Sequence, residues 1–497
     1  MADGQAAHVK RTVDKDLSKL TKFEEATGFL SRGLVAPGLG FIFIALAAAG
    51  VAFYFTGAQG SAIIIAASAI GAYMALNIGA NDVANNVGPA VGAKALTMGG
   101  ALLIAAVFES AGALLAGGDV VSTIAKGIVD RSAVSDPQVF VYAMLAALIS
   151  SALWVNFATF VGAPVSTTHA VVGGVMGAGI AAAGMSAVNW NLMGAIAASW
   201  VISPLLGGII AAVFLALIKT LIVYQKDKIA AARRWVPILI GIMGGAFSCY
   251  MALKGLKKII HIDAQYAVVV GVLGFVVLYL LSRPFIRHQS EGMENRNSSL
   301  RQLFQIPLIC SAALLSFAHG ANDVANAVGP LAAIVHTVQQ SDVAARVDIP
   351  FWVMIIGAVG ISMGLVLFGP KLVRMVGQQI TKLNPMRAYC VALSAAITVI
   401  VASWLGLPVS STHIAVGAVF GVGFFREWYT ANSKRRKEAL GNKVTPQAKE
   451  GTAEEIKRRK LVRRSHFMTI VAAWVITVPA SALLSGLIFL GLSMVLL

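Results

Sequence analysis

Apolar runs of about 20 residues, each long enough to cross about 30 Å of hydrocarbon, recur from one end of this chain to the other. That leaves few folds open. A segment in lipid must satisfy its backbone polar groups internally, and only helices and closed barrels do so. Runs of this length are helical ones. Charge agrees: 12% of the 497 residues are charged and 58% are hydrophobic, whereas a soluble domain carries about 25% charge. With a mean hydropathy of +0.79, the chain reads as an all-α polytopic membrane protein.

Thirteen spans are expected, near 35–57, 60–80, 99–117, 138–160, 164–184, 191–222, 234–253, 266–282, 303–322, 351–368, 386–406, 408–425 and 467–495. The net charge of +17 would suit nucleic acid. Lys and Arg, however, gather in short loops between apolar runs, as the positive-inside rule describes, so a lipid bilayer and not a nucleic acid is the expected partner. A cytoplasmic N-terminus puts the basic loops Lys226–Arg234, Arg283–Arg301, Lys371–Arg387 and Arg426–Arg464 inside. The loops with Asp119, Asp130, Asp136, Asp342 and Asp348, and the C-terminus, then fall outside a cell membrane. Lys254, Lys257 and Lys258 stand against this orientation. Residues 1–34 are polar and of mixed charge, a cytoplasmic extension with none of the layout of a signal peptide. The loop at 426–466 carries Lys434-Arg-Arg-Lys437 and Lys457-Arg-Arg-Lys460; it reads as topogenic, with attraction for anionic lipid as the alternative.

Two stretches inside the apolar runs carry the chemistry. Gly79-Ala-Asn-Asp-Val-Ala-Asn-Asn-Val-Gly-Pro89 returns as Gly320-Ala-Asn-Asp-Val-Ala-Asn-Ala-Val-Gly-Pro330, 241 residues on (79 to 320). An Asp at the centre of a span costs roughly 2.5–3.5 kcal/mol on insertion scales, so such a residue faces a bundle interior and signals function. Pro164-Val-Ser-Thr-Thr-His169 returns as Pro408-Val-Ser-Ser-Thr-His413, 244 residues on (169 to 413), and Trp200-Val-Ile-Ser-Pro204 as Trp474-Val-Ile-Thr-Val-Pro479. The chain is a tandem duplication: an extra span at 35–59, repeat 1 at 60–225, linking spans at 226–302 and repeat 2 at 303–497. The second span corresponds to the ninth, an odd shift, so the copies are expected upside down to one another. Inverted repeats meeting at a midplane site are the plan of secondary transporters.

Gly, Asn and Pro weaken a helix, and freed backbone in a membrane is tolerated only in protein or beside a wet cavity. Each Asp stretch is therefore expected to be a broken helix or re-entrant hairpin. Asp82, Asn85, Asp323 and Asn326 offer the hard oxygens that suit Na⁺, and an Asp can instead carry a proton; helix capping is the plainer alternative. The stations Ser166-Thr167-Thr168 and Ser410-Ser411-Thr412 follow a proline placed for a helix's first turn. Hydroxyls beside free N–H groups at a helix N-terminus make an anion site of neutral donors, with capping again the alternative. Asn81 and Asn322 are further candidates for the anion. Glu109, a third carboxylate within a span, is a candidate coupling residue. His169 and His413 have no assigned role, and the glycines at 173, 177, 417 and 421 suit close helix packing. Three scattered cysteines with no CxxC pair or His/Cys cluster argue against a thiolate metal site; no resident cofactor and no enzymatic centre is expected.

These duplicated motifs, with Phe317-Ala-His-Gly320 opening the second copy, resemble the inorganic phosphate transporter (PiT) family from about residue 60 to the C-terminus. Phe108-Glu109-Ser110 and Thr123-Ile-Ala-Lys-Gly-Ile-Val-Asp130 are similar to its sodium-coupled branch. The resemblance implies a dimeric inverted-repeat symporter moving inorganic phosphate with Na⁺ or H⁺, phosphate between the hydroxyl stations and cations at Asp82, Asn85, Asp323 and Asn326, with Glu109 functionally important. Sulfate or a related oxyanion is the alternative cargo, and an anion channel the alternative mechanism. The chain departs from its eukaryotic relatives in having Ala392 where they carry a second Glu, and in its first 59 residues.

Overall fold

The computed structural model describes residues 34–58, 60–130, 133–134, 136–161, 165–255, 262–340, 349–375, 383–433 and 464–496. Pro164, Lys257, Lys258, Asp342, Asp348, the two basic tetrads and the N-terminal extension lie outside them. Among the described residues, eleven helices are long and apolar enough to cross a membrane, and these match eleven of the thirteen expected spans. The protein is a multi-pass membrane protein. The other two expected spans are the helices that follow the hydroxyl stations. One has only 17 residues, and both begin at serines buried inside the protein.

In chain order, α1 is Leu34–Tyr54, α2 Ser61–Asn81, α3 Ala84–Gly92, α4 Met98–Ala116, α5 Gly118–Lys126, α6 Pro137–Val161, α7 Thr167–Ala183 and α8 Trp190–Ile218. Then come α9 Lys228–Tyr250, α10 Ala264–Gln289, α11 Asn297–Leu303, α12 Gln305–Gln340, α13 Phe351–Met375, α14 Pro385–Trp404, α15 Ser411–Asn432 and α16 Arg464–Leu496. Helix α12 is the axle of the molecule. It packs against α2, α4, α5, α6 and α14, and its residues from Ser311 to Thr337 are buried without a break. By contrast α1 and α10 show most of their apolar side chains outward, as helices facing lipid do.

The duplication is legible in the packing. Exchanging the copies turns the α2–α13 pair into α12–α4, and the α7–α16 pair into α15–α8. Glycines set these contacts to backbone distance. A Cβ on Gly79 would collide with the Ile361 carbonyl, and one on Gly320 with the Glu109 carbonyl. Likewise Gly177 faces the Ala482 carbonyl, and Gly421 the Gly208 carbonyl. Close backbone approach through small residues substitutes for the hydrophobic drive that lipid does not supply.

Two expectations change. The first Asp stretch does break its helix, between α2 and α3, but the second lies within the uninterrupted α12. The break is a tightening in which the N–H groups of Asn85 and Asn86 bond three residues back, to the carbonyls of Asp82 and Val83 (3.0 Å each). Asn85 Nδ2 also donates to the Asp82 carbonyl at 3.1 Å. The sequence difference that accompanies it is Asn86, which reaches across to Glu109, against Ala327 in the second copy. The other change concerns Lys254, which stood against the charge rule. It is paired with Asp119 at the start of α5, its side chain 13% exposed, so it is a neutralised contact and not a free loop charge.

A branched side chain at Gly177 has no room against α16. Gly177→Val is expected to destabilise the protein by about 1–3 kcal/mol, the usual range for overpacking. Thermal unfolding of the purified protein checks this, with Gly491→Val as control, since nothing lies within 4 Å of a Cβ at Gly491.

Candidate functional site

The α2–α3 break, the middle of α12 and the N-termini of α7 and α15 converge at the centre of the bundle. Ser166 and Ser410 are N-cap residues. Each hydroxyl accepts from the third helical N–H, that of His169 (3.2 Å) and of His413 (3.3 Å). Capping therefore accounts for these two serines, and it is a pattern the sequence carries at both stations. Pro408 is not in the first turn as expected; it sits two residues before the cap in extended chain, and its carbonyl accepts from Trp200 Nε1 at 3.1 Å. Once the caps are made, the N–H groups of Thr167, Thr168, Ser411 and Thr412 have no acceptor among the described residues. They are the donors an anion would meet, at the positive ends of two helix dipoles.

Asp82, 2% exposed, lies between the two stations. Thr167 Oγ1 donates to its Oδ2 at 2.6 Å, and Thr412 Oγ1 donates to its Oδ1 at 3.0 Å. One carboxylate of the first copy thus holds a hydroxyl from each station. Asn85 Nδ2 donates to Thr412 Oγ1 (2.9 Å), and in the second copy Asn326 Nδ2 donates to Thr167 Oγ1 (3.2 Å) and Thr168 Oγ1 (3.1 Å). Each Asn therefore reaches the station of the other copy.

Asp323 is held differently. Its Oδ2 accepts from Ser411 Oγ at 3.4 Å and lies 3.0 Å from His319 Nε2. Among the described residues its Oδ1 is buried without a partner, as is Asn326 Oδ1. Asp82, His319 and Asp323 present ligand atoms within 4.8 Å of one another. Two carboxylates this close, out of water, repel strongly, and a cation between or beside them relieves that repulsion. The unpartnered oxygens are of the hard, neutral or anionic kind that suits an alkali cation.

Glu109 joins this centre from α4. Its Oε2 lies 2.7 Å from His319 Nδ1, and its Oε1 accepts from Asn86 Nδ2 at 2.8 Å. His319 was not singled out by the sequence reading, although it sits four residues before Asp323 on the same helix face, a spacing at which side chains meet.

Of Asn81 and Asn322, expected to meet the anion, the first bonds to α6 and the second braces the lead into the second station. Asn81 Nδ2 donates to Thr159 Oγ1 at 2.8 Å. Asn322 Nδ2 donates to Ser403 Oγ (3.0 Å) and the Leu407 carbonyl (3.2 Å), while its Oδ1 accepts from Val409 N–H. His169 and His413 face each other with ring centroids 4.5 Å apart, and the His169 ring lies 3.9 Å from that of Trp200. The two stations touch through these rings.

Comparison with known proteins agrees with this geometry. Residues 78–485 match the model of the phosphate transporter family. A candidate phosphate permease of Helicobacter pylori (strain J99) is 45% identical, covering 97% of this chain and 99% of that one. One from Pyrococcus furiosus is 36% identical over 87% of this chain and 97% of its own length. Among solved structures, a sodium-dependent phosphate transporter superposes with a TM-score of 0.76 at 35% identity, covering 88% of this chain and all of its own.

The capping geometry makes its own prediction. Ser166→Ala and Ser410→Ala are each expected to cost about 1 kcal/mol of stability, and the glycine variants only a few tenths. Denaturant titration of the purified proteins measures both series.

Proposed function

This chain belongs to the phosphate transporter family, and we propose that it is a secondary-active symporter that imports inorganic phosphate with Na⁺, or H⁺, by alternating access. The observation that carries this reading is Asp82, which accepts a hydroxyl from each station. A hydroxyl has one proton to give. Thr167 and Thr412 can donate to Asp82 or to a phosphate oxygen, not to both. Phosphate arriving between the stations takes those donors and leaves Asp82 a bare buried carboxylate beside an anion and beside Asp323. That state is favourable only with a cation bound, and the cation in turn is best held when the hydroxyls have turned away. Each cargo thus raises the affinity for the other, and linkage makes the effect mutual.

Neutral donors fit a carrier, since they bind without the grip of an Arg clamp and so permit release. Sodium as the partner is supported by the sodium-dependent structural neighbour and by the two unpartnered oxygens at Asp323 and Asn326. The two copies are taken to be inverted, the arrangement in which repeats of a carrier meet at one midplane site. Placing the N-terminus in the cytoplasm and the C-terminus outside the cell membrane agrees with the neutralised Lys254.

Uptake of radiolabelled phosphate into proteoliposomes tests this. Phosphate should accumulate when a Na⁺ gradient is imposed, sulfate should compete poorly, and Asp82→Asn and Asp323→Asn should each abolish accumulation while eluting as folded protein. Concentrative uptake by both variants overturns the proposal. Accumulation under a proton gradient alone recasts the carboxylates as proton carriers, and sulfate uptake without phosphate uptake changes the cargo.

A further inference from the structure

The repeat makes two helix interfaces equivalent, yet their chemistry differs at the one place where they face the site. Gly79 of α2 abuts Ile361 of α13, and Gly320 of α12 abuts Glu109 of α4. One turn away, Gly364 abuts Leu76, and Gly112 abuts Phe317. Both contacts give the same correspondence: α12 is offset from α2 by 241 (76 to 317, 79 to 320), and α13 from α4 by 252 (109 to 361, 112 to 364). Under it, His319 stands where the first copy has Ile78, and Glu109 stands where the second has Ile361. The apolar pair is buried, at 0% and 1% exposure, and so is the polar pair, at 0% each. The same scaffold position is thus filled by two isoleucines in one interface and by a carboxylate–imidazole pair in the other.

The replacement is costly, because a buried polar pair must be satisfied at every atom. Here three of its four polar atoms are hydrogen-bonded, and the fourth, His319 Nε2, has no hydrogen-bond partner among the described residues. Both Glu109 oxygens are engaged, Oε1 by Asn86 and Oε2 by His319 Nδ1. The remaining ring nitrogen, Nε2, lies 3.0 Å from Asp323 Oδ2, an ion-pair distance without the alignment of a hydrogen bond. Held by Glu109, the ring stands beside Oδ2 of Asp323, which also accepts from Ser411 Oγ, and Oδ1 is left buried without a partner among the described residues, as is Asn326 Oδ1. Asp82 has an isoleucine four residues before it instead, and hydroxyls occupy both of its oxygens.

We propose that His319, braced by Glu109, is a positioning residue that orients Asp323 to hold a sodium ion through Oδ1, so that the two aspartates of the repeat do different work. Asp323 is the standing cation ligand, and Asp82 becomes one only when the hydroxyls leave it. The inference rests on the symport reading above and deepens it. A braced imidazole behind a ligating carboxylate acts as outer-shell partners do at metal sites, where their loss costs about 10- to 100-fold in affinity.

The test removes the pair in the way the first copy already does. The double variant E109I/H319I places isoleucines where Ile78 and Ile361 show that the scaffold accepts them, so it is expected to fold. Its half-saturating Na⁺ for phosphate uptake in proteoliposomes should rise by about 10- to 100-fold. Its half-saturating phosphate, measured at saturating Na⁺, should stay as in the parent. A merely structural role would lower protein yield and turnover without that split. Should the double variant fail to fold, His319→Gln, which keeps a side-chain donor toward Asp323 and releases Glu109, reads the same split on a smaller scale. An unchanged Na⁺ requirement in the variant that folds overturns the proposal, as does uptake by the parent that is independent of Na⁺. Asp323→Asn in the same assay separates the two levels. If it transports as the parent does, Asp323 is not the cation ligand and the proposal fails; if Asp82→Asn does so too, the symport reading itself fails. If Asp323→Asn is inactive while E109I/H319I keeps the parent's Na⁺ dependence, only the role of His319 fails.

Discussion

The structure depends on keeping two aspartates together, out of water, inside a membrane. Nothing about an apolar bundle makes that favourable, and the surroundings of Asp82 and Asp323 are the answer to it. Hydroxyls from two helix N-termini reach the carboxylate of Asp82, amides of Asn85 and Asn326 donate to those hydroxyls, and the His319 ring lies 3.0 Å from Asp323. Supplying those partners requires four chain segments to reach one point. That in turn requires α7 and α15 to start inside the protein and α2 to break there, while α12 runs past as a continuous support. The helices that ring this centre pack backbone to backbone through glycine because their job is to hold it, not to bury apolar area.

Scaffold and cargo obey different symmetries. The glycine contacts at Gly79 and Gly320, Gly112 and Gly364, and Gly177 and Gly421 pair off under exchange of the copies, and the Ser caps are duplicated atom for atom. Some of the polar side chains aimed inward are not duplicated. Asn86 faces Glu109 where the second copy has Ala327, and the Glu109–His319 pair meets an Ile78/Ile361 counterpart. On the proposed symport reading, two copies related by the repeat offer the two alternative packings that alternating access needs. On the same reading, the anion and its cations have no two-fold requirement, so substitutions such as Glu109 and His319 can differ between the copies.

Much of this was legible in the sequence because it rests on composition and repetition. Span positions follow from apolar length, and the hydroxyl and Asp stations identify themselves by occurring twice. What escaped was whatever depends on contacts between distant segments. His319 looked like part of a motif border, and only the approach of α4 to α12 shows Glu109 behind it. Lys254 looked like a violation of the charge rule until Asp119 was found against it. The second Asp stretch has the same helix-weakening residues as the first, yet it stays helical, since tertiary packing on every side outweighs local propensity. Asn322 reads as a ligand by type, but the extended lead to α15 needs its donors and acceptor first.

That last point bears on how the site stays precise. The lead Leu407–Ser410 is extended chain deep in the bundle, where unpaired backbone groups are expensive. Asn322 takes the Leu407 carbonyl and the Val409 N–H, and Thr168 Oγ1 donates to the Val409 carbonyl at 3.0 Å. The chain feeding the second station is therefore fixed in part by a residue of the first. If phosphate draws on the Thr168 hydroxyl, the Val409 carbonyl loses its donor and the lead to α15 loosens. A loaded site would then differ from an empty one not only in charge but in how firmly α15 is tied to α7, which is the kind of local difference from which a rocking motion between two copies can start.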